Sequence, residues 1–559
     1  MILRALFILG VSWALALPGF GQKSSGNDLF LARGPYLQMG TSSSVLLRWR
    51  LSAPADAVVR YGTTPSNLNL SKTVSTSLKN HEVKLDGLQP NTTYWYSVGT
   101  SVRTFVGGPE FYFRSAPMTG VPRPFRIWAF GDSGIPGVQA ESVRDGYLQY
   151  AGGHMADVMV LLGDQAYGSG TDRQFQRALF GTYRDQLRNS VAWITRGNHE
   201  LFEDVYYDTF TLPTQGEAGG VPSGTEAYYS WDYANVHFVC LDSFATSRAK
   251  GDAMYTWLES DLAATEQEWI IAYWHHPPYS KGQHNSDAEI QSVEMRQNFI
   301  PLFEEYGVDL ILTGHSHSYE RSFLLDGHHG FSYEFDPSMA KDPGDGWELG
   351  DGAYVKAPGP KAGAVYCVAG SAADVRPGAF DHPVMVMADS ILGTLVIDVE
   401  GSRIDVAFVG VDGVVPDRFT LLGPGFQGTY CNAEPHSQGC IALMKSDGSP
   451  SLTSPLPFDL QSIRVRSQST GALIYGLTPT NEPGIGGRLC VGDPSQMIGT
   501  QSAGGTGPCT GALSLDFNQH IQSGLDSSLQ PGTVVYSQWW FTDGNGSALS
   551  EAIVFTINP

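Results

Sequence analysis

The chain has 559 residues, 42% of them hydrophobic, and a formal net charge of -22 at pH 7. That length exceeds what one core organises, so several domains are expected. The acidic balance excludes a nucleic-acid polymer as the main partner, because backbone-phosphate binding needs a basic footprint. It leaves room for a small phosphorylated substrate whose charge bound cations can meet.

Residues 1–21 read as a secretory signal peptide. Arg4 supplies a basic start, 5–17 is an apolar run too short to span a bilayer comfortably, and the small residues Gly19 and Gly21 follow. An uncleaved anchor is the alternative. No later stretch is long and apolar enough to cross a membrane, so the mature chain is expected to be secreted, periplasmic or at the cell surface, with no membrane span. Cys431, Cys440, Cys490 and Cys509 cluster late in the chain and are expected to form disulfides outside a reducing cytosol. Of three connectivities the simplest is Cys431–Cys440 with Cys490–Cys509. Cys240 and Cys367 sit in apolar strand-like runs and read as buried thiols.

Over 30–117, short runs at 44–50, 57–61 and 81–85 alternate polar and apolar residues between turn signals, the pattern of a β-sandwich. The stretch 88–96 (LQPNTTYWY) has the form of a tyrosine corner, and the region resembles a fibronectin type III domain. It carries no chemistry of its own, and a packing role is the simpler reading.

From 123 the texture changes. A strand over 125–130 ends in Gly131-Asp132-Ser133-Gly134, and a helix follows over 138–150. A strand over 158–162 ends in Gly163-Asp164-Gln165-Ala166-Tyr167. A helix over 172–187 leads to a strand over 191–195 and then to Gly197-Asn198-His199-Glu200. Strands over 269–274 and 308–312 end in His275-His276-Pro277-Pro278-Tyr279 and in Gly314-His315-Ser316-His317. Ligand sites of open α/β sheets lie outside the carboxyl ends of strands. One such ending is ordinary turn chemistry. Five in succession, each with metal-capable side chains, predict a metal site.

This ordered set resembles the metallophosphoesterase (calcineurin-like) superfamily and, within it, the purple acid phosphatases. Gly134, where many relatives have histidine, and Tyr167 select that branch, and the β-sandwich ahead of the catalytic region matches it. The resemblance covers about residues 30–425. It implies a multidomain chain: an N-terminal β-sandwich, a central α/β four-layer metallophosphoesterase domain of two mixed sheets flanked by helices over 123–425, and a C-terminal β-rich module over 426–559. It also implies two metals. Fe(III) would be held by Asp132, Asp164, Tyr167 and His317. A second divalent ion (Zn, Mn or Fe) would be held by Asp164, Asn198, His275 and His315, with Asp164 bridging. The ligand types suit those ions: carboxylate and phenolate for a hard trivalent cation, imidazole and amide oxygen for a divalent one.

The implied reaction is hydrolysis of phosphate monoesters at acid pH, by in-line attack of metal-bound hydroxide. His199 and His284 are the candidate catalytic donors to phosphoryl oxygens and leaving group. The family often has two adjacent histidines at the second position; here His284 is followed by Asn285. His276 reads as a packing or supporting residue, Glu200 as orienting His199, and His328 and His329 as solvated members of a glycine-rich surface insertion over 328–362. Strands are expected over 364–369, 394–399 and 403–409. The C-terminal module reads as a disulfide-stapled accessory sandwich, with carbohydrate or cell-surface contact as the functional alternative. Two other functions stay open: a phosphodiesterase or nucleotide pyrophosphatase on the same site, and a non-catalytic exported binding or adhesion protein.

Overall fold

The computed structural model describes residues 29–559 apart from 349, 351, 358, 485, 493, 494 and 545. The expected signal over 1–21 lies outside the described residues. Among them, no helix is long and apolar enough to cross a membrane.

The N-terminal β-sandwich is built on one long hairpin, Ser44–Gly62 against Leu70–Asp86. Two halves of the first strand carry different partners. Its start pairs with Leu31–Gln38, and its end pairs with Thr93–Gly99. Alternating side chains face inward, with Trp49 stacked on His81 at 4.9 Å. The tyrosine corner is present: the Tyr94 hydroxyl accepts from the Gln89 N–H at 2.9 Å.

This module does not end in a free edge. Leu31–Gln38 runs parallel to Val191–Ile194 through the Leu37–Val191 pair, so its sheet continues into the first central sheet as one 13-stranded assembly. Buried Arg33 and part-buried Arg50 both bond to Asp172 across the junction. The Tyr36 hydroxyl donates to the Thr209 carbonyl at 2.7 Å.

The central region has four layers. In the first sheet Phe125–Phe130, Val158–Leu161 and Val191–Ile194 are parallel, flanked by the antiparallel strands Gly393–Glu400, Arg403–Gly410 and Asp417–Leu422. The second sheet has seven strands. Val236–Cys240, Trp269–Tyr273, Leu310–Thr313 and Val365–Ala369 are parallel at its centre. All three parallel strands of the first sheet are buried along their whole length and, Arg126 aside, apolar, as expected of strands covered on both faces. Between the sheets Trp193 stacks on Trp231 at 4.4 Å, and Tyr319 on Phe408 at 3.9 Å. Helix Val138–Ala151 covers the first sheet, its Tyr147 stacked on Trp128 at 3.9 Å. Helices Ala253–Ala264 and Ile300–Glu305 cover the second with Trp257, Leu258 and Phe303.

Cys240 and Cys367 are free and buried. The single helix expected over 172–187 is instead three short turns, Asp172–Arg177, Leu179–Thr182 and Arg184–Leu187. Tyr183, its ring packed against Phe130 and Trp128, leaves helical geometry between the last two.

The C-terminal module holds five- and three-stranded sheets around Trp539, Phe541 and Phe555. Its disulfides are Cys431–Cys490 and Cys440–Cys509, not the neighbour pairing expected from spacing. Cys431 ends strand Gly428–Cys431 and Cys490 lies in strand Gly487–Val491, which the fold stacks in one cluster with Tyr430 and Ile474. Cys440 is carried away to a loop beside Cys509. Through the same cluster the module packs on Ala353 and Leu422 of the central region.

The insertion over 328–362 also departs from expectation. His328 is buried, not solvated, because the loop folds back so that its ring stacks on Tyr279 at 5.4 Å and meets Phe335. His329 pairs with Glu304 at 2.7 Å.

Candidate metal centre

Asp132, Asp164 and His315 each follow a glycine at a strand end, and each has a left-handed backbone, with φ of 59°, 57° and 70°. For an L residue this costs on the order of 1 kcal/mol each, which the surrounding hydrogen bonds must offset. Those bonds are specific. Asp132 N–H donates to the Gly163 carbonyl at 3.0 Å, and Gly134 N–H to the Asp164 carbonyl at 3.0 Å. His315 N–H donates to Asp132 Oδ2 at 2.7 Å. The loops can lie this close only because glycines stand where they touch. A Cβ on Gly134 would sit 2.4 Å from Ala166 N, and one on Gly197 would sit 2.1 Å from Asp164 Oδ1.

Glu200 knots three of these backbones together. Its buried carboxylate accepts from Asp164 N–H at 2.9 Å, Gly197 N–H at 2.8 Å and Ala166 N–H at 3.2 Å. It therefore ties loops rather than orienting the His199 ring, as the sequence had suggested. Burial, with the neighbouring Asp164 charge, pushes its pKa up to about 8.

The side chains converge as two groups joined by Asp164. On one side the Tyr167 hydroxyl lies 2.7 Å from Asp132 Oδ1 and 2.8 Å from His317 Nε2. His317 Nδ1 faces the Asp374 carboxylate at 3.3 Å, so Nε2 presents a lone pair. One phenolic proton thus faces two acceptors. On the other side His275 Nδ1–H donates to the Leu162 carbonyl at 2.8 Å. Its Nε2 faces the Asn198 amide oxygen, 3.0 Å away, and lies 3.4 Å from Asp164 Oδ2. His315 Nδ1 meets the same Asn198 oxygen at 2.9 Å. The ligand atoms of Asp132, Asp164 and His275 all lie within 4.8 Å of one another.

Ring nitrogens and oxygens aimed at one another around buried carboxylates fit a cation site, where positive charge satisfies them together. The demand shows in His275: burial pulls its pKa down, but Asp164 outweighs that and raises it to about 10. The Tyr167 phenol shows the opposite pressure. Burial and then the Asp132 and Asp164 charges hold its pKa well above normal, so a phenolate there requires a cation beside it.

The two candidate donors stand at the rim. His199 Nδ1 meets the Gly168 carbonyl at 3.1 Å, and its Nε2 lies 3.9 Å from Asp164 Oδ2. The His199 side chain is 38% exposed. His284 lies over the His315 ring at 3.8 Å. His276 is buried behind them, held by the Ser243 hydroxyl at 2.9 Å, and burial keeps its pKa well below normal. The structure thus brings together all seven expected ligands and both histidines. Sequence reasoning missed Glu289, whose carboxylate bonds to both His284 Nδ1 and His315 Nε2. It opens helix Ile290–Glu294, away from any strand end. The one available signal was a carboxylate five residues after a candidate histidine.

Residues 33–115 match the family model of the purple acid phosphatase N-terminal domain, and residues 125–319 that of the calcineurin-like phosphoesterases. Purple acid phosphatase 22 of Arabidopsis thaliana is 30% identical over 285 residues, 48% of this chain and 61% of that protein. Purple acid phosphatase 15 of the same plant is 28% identical over 292 residues, 46% and 51% of the two chains. The phosphoenolpyruvate phosphatase of Allium cepa is 26% identical over 327 residues, 54% and 64%. The match spans between 51% and 64% of the length of these relatives. Among solved structures, a purple acid phosphatase from yellow lupin (Lupinus luteus) seeds shares the fold, with a TM-score of 0.52 at 18% identity over 70% of this chain and 74% of that one. Residues 125–319 are thus similar to the calcineurin-like phosphoesterases, with a stretch similar to the purple acid phosphatase N-terminal domain set ahead of them.

Proposed function

We propose that the protein is an exported dinuclear-metal phosphatase acting on phosphate monoesters in acid. One observation carries the reading: seven ligand-type side chains from five strand ends converge with their ligand atoms facing one another. Asp132, Tyr167 and His317 would hold one cation, Asn198, His275 and His315 the other, and Asp164 both. The phenol and carboxylates favour Fe(III) at the first position; the imidazoles and amide favour a divalent ion at the second. When bound, such a pair supplies positive charge to the phosphoryl group and acidifies water.

The chain's own residues do the rest. His199, fixed through Nδ1 on the Gly168 carbonyl, presents Nε2 toward the phosphoryl group. His284, fixed through Nδ1, presents Nε2 from the other rim and can donate to the leaving oxygen. Asp164 accepts from the His199 backbone N–H at 2.8 Å and would be shared by both cations, so it would not serve as a free base. Export accords with the two disulfides.

The test is metal analysis combined with turnover of a monoester and a diester by the purified chain. Two metals per chain, preference for the monoester, and loss of at least ~10³-fold in kcat on Asp164→Ala are expected from removing a shared ligand. Near-normal turnover by Asp164→Ala would refute the dinuclear reading, and preference for the diester would replace the substrate class.

A further inference from the structure

The phosphatase reading leaves Glu289 without a role, yet its placement is constrained. Its two carboxylate oxygens are each spoken for by a different imidazole: Oε1 by His284 Nδ1 and Oε2 by His315 Nε2, the latter at 2.8 Å. The two ring centroids lie 3.8 Å apart with the planes tilted by 34°, so a single carboxylate spans the edges of both rings. The loop that carries it is itself anchored. Asp287, two residues earlier, accepts from Lys281 Nζ at 2.9 Å, Arg296 at 3.2 Å and the Ser332 hydroxyl at 2.6 Å. Asn285, which stands where the family often has a second histidine, is exposed and instead accepts from the Asp287 N–H at 3.0 Å.

We propose that Glu289 is a positioning residue that couples the candidate leaving-group donor His284 to the candidate metal ligand His315. The inference rests on the metal-centre reading above. By taking the Nε2 proton of His315 as a hydrogen bond, it fixes the tautomer whose Nδ1 lone pair faces Asn198. By taking the Nδ1 proton of His284, it leaves that ring's Nε2 facing outward. An outer carboxylate on a metal-ligating histidine also raises the ring's basicity. The one interaction therefore serves metal affinity and donor geometry together, and it lets a single histidine act at a rim position where the family often has two.

The test uses the full chain with zinc chloride and p-nitrophenyl phosphate, in wild type, Glu289→Gln, Glu289→Ala, His284→Ala and the Glu289→Ala/His284→Ala double variant. Chelator competition should show the weaker zinc site loosened 10–100-fold by Glu289→Ala at unchanged saturating stoichiometry, the usual cost of losing such a partner. Glu289→Gln, which keeps one acceptor of two, should fall between and should melt like wild type. At saturating zinc, the loss in kcat on Glu289→Ala should not deepen when His284→Ala is added, because the donor is already misplaced. Affinity unchanged within twofold together with multiplicative kcat losses would overturn the proposal. So would a stoichiometry lower by one in Glu289→Ala, which would make His284, Glu289 and His315 ligands of a further ion. Wild type that binds zinc but turns over no phosphomonoester, with zinc alone or with iron and zinc together, would end the phosphatase reading alone, with the affinity comparison still deciding Glu289. Wild type that binds no zinc would end both.

Discussion

Replacing Glu200 by glutamine isolates the knot under the metal centre. The carboxylate accepts three backbone N–H groups, two on Oε2 and one on Oε1, and the side chain is fully buried. Glutamine keeps its shape. With its oxygen toward Asp164 and Gly197, its amide NH₂ is turned on the Ala166 N–H, and a buried donor faces a donor. One lost bond and one unsatisfied N–H cost roughly 2 kcal/mol. The sign of the pH dependence follows from the raised carboxyl pKa, about 8 by burial and the Asp164 charge. Stability from the neutral wild-type carboxyl is fully present below the unfolded value and is lost as pH rises through about 8. Glutamine cannot ionise. The penalty of Glu200→Gln in chelated protein should therefore be greatest near pH 5 and shrink toward pH 8. Urea unfolding at several pH values, followed through tryptophan fluorescence, reads both quantities. A variant within ~0.5 kcal/mol of wild type at pH 5 would refute the three-acceptor account, since one lost bond alone exceeds that. A penalty that grew with pH would refute the burial argument.

Purified protein loaded with iron should show a visible charge-transfer band that vanishes in Tyr167→Phe, whose metal content is retained through Asp132, Asp164 and His317; a fully active, colourless, iron-free enzyme would remove the iron assignment and leave the fold untouched. His237, buried between Asp232 at 2.8 Å and Asp261 at 2.9 Å, has its pKa raised to about 9, burial being outweighed by the two carboxylates. Its contribution is complete below about pH 6.5 and fades as pH climbs through 9, on the order of 3 kcal/mol in all. Differential scanning calorimetry should show that alkaline loss reduced in His237→Asn, and an identical slope in both proteins would count against it.

The five strand endings were legible because their chemistry is local. Each couples a mostly apolar run to a polar turn, and Asp132, Asp164, Asn198, His275 and His315 fall on those turns. Glu289 and the true role of Glu200 were not legible, because a carboxylate's partners are chosen by loops that meet only in the folded chain. The fate of His328 depended likewise on the insertion folding back onto Tyr279. Disulfide pairing followed the stacking of strands rather than distance along the chain, so Cys431 joined a residue 59 positions away in preference to one nine positions away. The junction of the first two modules rests on the Leu37–Val191 pair, which no periodicity in either strand announces.

That junction limits how the protein can be dissected. Strand Val191–Ile194 leads directly into the turn bearing Asn198 and His199, and its outer flank is occupied by the N-terminal module. Excising that module would not liberate a tidy central domain. It would bare a short, wholly apolar β-edge beside the chemistry and strip Asp172 of two guanidinium partners. Such an edge invites self-association. The leading module is better understood as a splint, whose removal would trade a closed sheet for a sticky one.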